Sequence, residues 1–126
     1  MKYLKYFESN MLDLSGKNLT KLPKLPDSLE ILYCSDNKLT ELPELPDSLK
    51  RLYCYGNQLT KLPELPDSLI RLDCYNNQLT ELPKLPDSLE YLYCFGNKLP
   101  YDDLKGYREW YAKTYPEGVE GKKYNL

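Results

Sequence analysis

Histidine is absent from the 126 residues, so no imidazole is available as a general base near neutral pH or as a metal ligand. Nucleophile schemes of the Ser–His or Cys–His type are thereby excluded. Long apolar runs are missing too: no stretch approaches the roughly 18 to 20 residues that span a bilayer, and the opening MKYLKYFESN is too polar for the apolar core of a secretory leader. Nor is there an excess of one charge. Seventeen basic side chains face 19 acidic ones, which leaves no positive field to neutralise phosphates and makes duplex nucleic acid a poor match. A mean hydropathy of −0.65 at this length fits one water-soluble domain over residues 1–126.

What the chain does have is 13 tyrosines and 10 prolines, and they recur with a fixed period. LPDSLKRLYCYGNQLTKLPE (45–64) is followed by LPDSLIRLDCYNNQLTELPK (65–84), identical at 15 of 20 positions. The same frame covers 25–44, and a copy that ends early begins at 85, so four units fill 25–100. Residues 11–24 form a degenerate first unit with Leu14 and Lys17 where the later copies have Cys and Asn.

Each unit reads L-x-x-L-x-C-x-x-N-x-L, as in Leu49, Leu52, Cys54, Asn57 and Leu59. On this motif the sequence resembles the leucine-rich repeat family over roughly residues 11–100. The 20-residue period and the segment LTxLPxLPDSL are similar to the short repeats of bacterial type III secreted effectors, and the cysteines to leucine-rich repeats of giant viruses. The resemblance implies an α/β repeat solenoid whose short parallel strands line a concave, partner-binding face.

The residues support that architecture on their own. Period-two alternation around Leu52 and Cys54 predicts a short strand, with Leu49, Leu52, Cys54, Leu59, Leu62 and Leu65 inward. Two prolines per unit remove backbone donors and favour an extended or polyproline II convex limb over a helix. The apolar surface of one unit is too small to offset the ordering of its own backbone, so neighbours must stack. Equivalent residues then form ladders, and the row Lys21, Glu41, Lys61, Glu81 alternates in sign as in-register stacking favours. The terminal coils need covers. Residues 1–10 are the predicted N-terminal cap. Residues 101–126 are the predicted C-terminal cap and tail, with a helix capped by Asp102, an inner face of Leu104, Tyr107, Trp110 or Tyr111 and Thr114, and a stop at Pro116.

Cys34, Cys54, Cys74 and Cys94 occupy inward strand positions, where small apolar groups pack between leucine layers. Four residues on one line cannot converge tetrahedrally, so no zinc site is expected. Parallel side chains do not favour adjacent-rung disulfides, and free thiols point to a reducing, cytoplasmic compartment, of the source cell or of a host. Asn37, Asn57, Asn77 and Asn97 are expected to bond neighbouring backbone and the next rung. Asp27, Asp47, Asp67 and Asp87 form a like-charge row, read as carboxylates accepting from turn amides; a calcium row would need more ligands than one per unit.

The outward strand positions are Ile31, Tyr33, Ser35, Arg51, Tyr53, Tyr55, Arg71, Asp73, Tyr75, Tyr91, Tyr93 and Phe95. Tyrosine and arginine dominate protein-interface hot spots. The expected contacts to a protein or peptide are Arg51, Tyr53, Tyr55, Arg71, Asp73, Tyr75, Tyr91, Tyr93 and Phe95, with Arg51 and Arg71 favouring an acidic or phosphorylated partner. The chain is expected to be a monomer or to self-associate weakly. The alternative is a repeat scaffold with no dedicated ligand, its tyrosines only stabilising the sheet. A single nucleic acid strand stacking on Tyr53, Tyr55, Tyr75 and Phe95 is a lesser option. No catalysis, metal or cofactor is expected: the resembling effectors include some with a ligase domain bearing a catalytic cysteine, and the 26 residues from Tyr101 contain no Cys.

Overall fold

Five leucines at a spacing of twenty, Leu12, Leu32, Leu52, Leu72 and Leu92, are the buried centres of five three-residue strands. These are β1 (Met11–Asp13), β2 (Ile31–Tyr33), β3 (Arg51–Tyr53), β4 (Arg71–Asp73) and β5 (Tyr91–Tyr93). The computed structural model describes residues 10–117. Most of the predicted N-terminal cap (1–9) and the end of the predicted tail (118–126) lie outside the described residues.

The strands form one parallel sheet in the order β1-β2-β3-β4-β5, each leucine paired with its equivalent twenty residues on. The degenerate first unit therefore contributes a full rung, and Leu14 packs where its successors place Cys34, Cys54, Cys74 and Cys94. All four thiols are buried and unpaired. The limbs between strands carry neither helix nor strand, and each bends through a turn closed by the amide three residues after its second proline, as in Leu49 N to Pro46 O at 3.1 Å.

Two side-chain ladders tie each coil to the one before it. Asn57 Oδ1 accepts from Leu39 N at 3.0 Å, while its amide donates to Cys34 O and to Cys54 O, both at 3.1 Å. Asn77 and Asn97 repeat the pattern. The asparagines thus bond to their own strand end and the preceding coil, not the following one. The second ladder is serine: Ser48, Ser68 and Ser88 hydroxyls contact the carbonyls of Asp27 and Leu29, Asp47 and Leu49, and Asp67 and Leu69 at 2.6–2.9 Å.

The aspartate and lysine–glutamate rows behave differently from expectation. Backbone closes the proline turns, so among the described residues the carboxylates of Asp27, Asp47, Asp67 and Asp87 accept no hydrogen bond and stand exposed, where water screens their repulsion. Lys21, Glu41, Lys61 and Glu81 form no ion pair within 4.0 Å among the described residues; the pairs are Lys50–Glu30 at 3.9 Å and Arg71–Asp73 at 3.0 Å. Fully solvated side chains gain too little from pairing to be held together.

The tips of the turns after the strands alternate between glycine and a carbonyl-bearing side chain: Gly16, Asp36, Gly56, Asn76, Gly96, all at positive φ. Asp36 Oδ1 lies over Gly56 and Asn76 Oδ1 over Gly96, each in the space an added Cβ would enter. A short side chain that tolerates left-handed backbone thus fits over a neighbour with no Cβ.

The far edge of the sheet is closed by the chain itself. After β5, Cys94 N donates to Asp102 O at 2.8 Å, and Tyr93 pairs with Asp103 in an antiparallel bridge. Helix α1 (Leu104–Thr114) follows, capped by Asp103, whose side chain accepts from Gly106 N at 2.8 Å. Asp103 and not Asp102 is the cap because the Asp102 carbonyl is committed to the edge of β5, which leaves Asp103 as the extended residue entering the helix. Tyr107 is buried against Tyr101 and Tyr111 is buried against Tyr107, while Leu104 and Trp110 are half-buried and Thr114 is exposed. Thr114 lies off the inner face because Tyr115, at the C-cap, covers that end by packing on Tyr111 and Trp110.

Candidate partner-binding face

Three residues per strand leave one inward side chain flanked by two outward ones, so each coil presents the residue before its central leucine, the residue after it, and the next outward residue beyond. Stacking turns these positions into three rows: Ile31, Arg51, Arg71, Tyr91; then Tyr33, Tyr53, Asp73, Tyr93; then Ser35, Tyr55, Tyr75, Phe95. All nine predicted contact residues therefore lie on one face.

Parallel register places like rings above one another. Tyr33 and Tyr53 stack with centroids 4.7 Å apart and planes within 6°, and Tyr55, Tyr75 and Phe95 form a continuous stack at 4.5 Å per step. Tyr33, outside the predicted contact set, is thus part of the same aromatic surface; its place in the repeat was the signal that identified it.

The middle row is interrupted at Asp73. Here Arg71 folds across the gap, its Nε and Nη2 donating to the two carboxylate oxygens at 3.0 and 3.2 Å. Its guanidinium lies 5.5, 5.7 and 5.2 Å from the ring centres of Tyr53, Tyr91 and Tyr93, a cation–π cage. The hydrogen bond to Asp73 raises the Arg71 pKa further. Asp73 is only 6 % exposed, so it is a positioning partner for Arg71. Arg71 has its fork occupied, whereas Arg51 is exposed and makes no ion pair or hydrogen bond among the described residues.

Exposure is graded along the face. Tyr53, Tyr55 and Tyr75 are half-buried between neighbouring rungs, and Ser35 is buried with its hydroxyl unpaired among the described residues. At the β5 end, Tyr91, Tyr93 and Phe95 are 47, 38 and 44 % exposed. Behind the face, burial pushes the Cys34 and Cys94 thiols up to about 12, and Cys54 and Cys74 upward as well. Buried, protonated thiols are poor nucleophiles. Among the described residues no group of three or more Cys, Asp or Glu is placed to hold a metal ion, and no helix is long and apolar enough to cross a membrane.

A family model described as Leucine Rich repeats (2 copies) matches residues 27–67 and 47–87. Among solved structures, the chain is similar to the leucine-rich-repeat domain of a Shigella effector, with 45 % identity and a TM-score of 0.69, over 70 % of this chain and 40 % of that one. It is similar also to YopM from Yersinia enterocolitica, with 49 % identity and a TM-score of 0.70, over 71 % of this chain and 20 % of that one. A chain of the Drosophila melanogaster SNF/U2A′ complex is 26 % identical, with a TM-score of 0.65, over 85 % of this chain and 68 % of that one. This chain thus spans less than half the length of the two effector chains. No curated protein matches.

Proposed function

The chain is a leucine-rich-repeat solenoid resembling those of bacterial effectors, and from that premise we propose that it is a non-catalytic module whose concave face binds a protein or peptide segment. Leucine-rich repeats are in general a protein–protein interaction fold, and the Drosophila structure among its neighbours is a complex. The observation that carries the reading is the exposed trio Tyr91, Tyr93 and Phe95 at one end of an otherwise half-buried aromatic surface. Exposed large rings on the same face as a free arginine are the composition of interface hot spots. Burial of the four thiols supports a non-catalytic role and a reducing compartment. The same reading takes residues 1–126 as one repeat domain, with 101–126 as its C-terminal cap and tail.

A ligand-free scaffold is the second reading, favoured by the internally stacked Tyr33–Tyr53 pair and the self-satisfied Arg71–Asp73 pair. Both stabilise the sheet without a partner. The test is affinity capture from a reducing lysate with the native chain and with Tyr91→Ser/Tyr93→Ser/Phe95→Ser, whose folding is checked by thermal melting. A partner kept by the first and lost by the folded variant supports binding. Equal recovery by both supports the scaffold.

A further inference from the structure

We propose that the face recognises an extended peptide in which one carboxylate and one aromatic ring lie about six residues apart, the carboxylate on Arg51 and the ring on the Tyr93–Phe95 end. The proposal rests on the concave-face reading and names the chemistry of the partner.

The partner cannot simply add a strand at the exposed-aromatic end, because Asp102 and Asp103 already occupy the free edge of β5. It must be held there by side chains, and the structure leaves two of them unsatisfied. The cation is Arg51, since Arg71 spends its fork on Asp73. A planar guanidinium open to solvent matches a single carboxylate. The ring site is the end of the stack: Phe95 packs on Tyr75 on one side and has no ring neighbour on the other among the described residues, and Tyr93 stands beside it in the next row. A guest ring would continue the series at the stacking distance already set by three rungs.

Spacing follows from the register. A ring beyond Phe95 lies three steps from the coil of Arg51, about 14 Å at about 4.8 Å per strand, and two rows across from it, four residues or about 13 Å along the strand direction. An extended peptide advances about 3.3 Å per residue, so a segment crossing the face diagonally covers the resulting distance of about 19 Å in about six residues. Asp13 and Asp36 are exposed on the first and second coils, so further carboxylates on that side of Arg51 are repelled.

The test is a selection of short random displayed peptides on the full chain, run in parallel on Arg51→Glu and on Tyr93→Ser/Phe95→Ser. Arg51 has no partner to lose on charge reversal, so that variant keeps its fold. The expected enrichment on the native chain is Asp or Glu about six residues from Phe, Tyr or Trp. A synthetic Gly/Ser peptide carrying that pair should bind Arg51→Glu about tenfold more weakly by fluorescence anisotropy, with a similar loss when the acid is moved next to the ring. Enrichment of a motif lacking the pair on the native chain but not on the aromatic variant overturns the motif and leaves the concave-face reading standing. Equal binding to Arg51→Glu also overturns the motif alone. No enrichment over either variant overturns both.

Discussion

Asn57 illustrates how much one side chain holds in this solenoid. Its amide joins four backbone groups on two coils, and Leu39 N has Asn57 Oδ1 as its acceptor. Asn57→Ala leaves that buried donor unpaired and should cost about 2 to 4 kcal/mol in urea unfolding. Asn97→Ala, at a half-buried site, should cost less. Gly56 and Gly16 offer a second comparison, since both sit at positive φ but only Gly56 lies beneath Asp36. Gly16→Ala should cost about 1 kcal/mol from backbone alone, and Gly56→Ala more, because the Asp36 side chain must also turn away. Replacing Asp36 with Gly should remove the excess. The thiols give a pH dependence. Cys34 titrates at an ordinary 9.0 when unfolded and at about 12 when buried, so the folded state holds a proton that the unfolded state releases. Its contribution is complete below about pH 9 and is lost as pH rises toward about 12, at about 1.4 kcal/mol per pH unit for each such thiol. Urea midpoints measured at about pH 8 and about pH 10 should fall in that order; a flat profile would contradict the burial.

At the scale of elements, the cap is where adjacent residues divide their labour. Asp102 contributes a carbonyl to the edge of β5 and Asp103 a carboxylate to the start of α1. Asp103→Ala should therefore cost about 1 kcal/mol, while Asp102→Ala should be nearly neutral, since its backbone remains. The two are distinguishable by denaturant titration of single variants. The sequence alone favoured Asp102, and the reason is instructive: two neighbouring aspartates satisfy the same capping pattern, and only the demand of the strand edge decides between them. The strands themselves were legible because Leu32, Leu52, Leu72 and Leu92 repeat in one frame, and each copy corroborates the others. Asp73 was legible as an outward position but not as a buried one, since strand parity does not say that Arg71 will fold over it. The serine ladder was missed because a hydroxyl after Asp has many local partners, and its bond to the preceding coil exists only once the coils are stacked.

Taken as a whole, the molecule is held by contacts between each coil and the next, so removing one unit should shorten it without unfolding it. Deletion of residues 45–64 keeps every leucine in register, yet it sets Asp36 directly over Asn76. That chain should melt cooperatively, and Asn76→Gly should raise its stability by about 1 kcal/mol, whereas the same change in the full chain, where Asn76 lies over Gly96, should bring no such gain. The tips of the turns therefore count in twos although the leucines count in ones. A gene that lengthens this solenoid by unequal copying meets the least resistance when it inserts coils in pairs, and its heritable unit is the couple, glycine and its cover, handed down together.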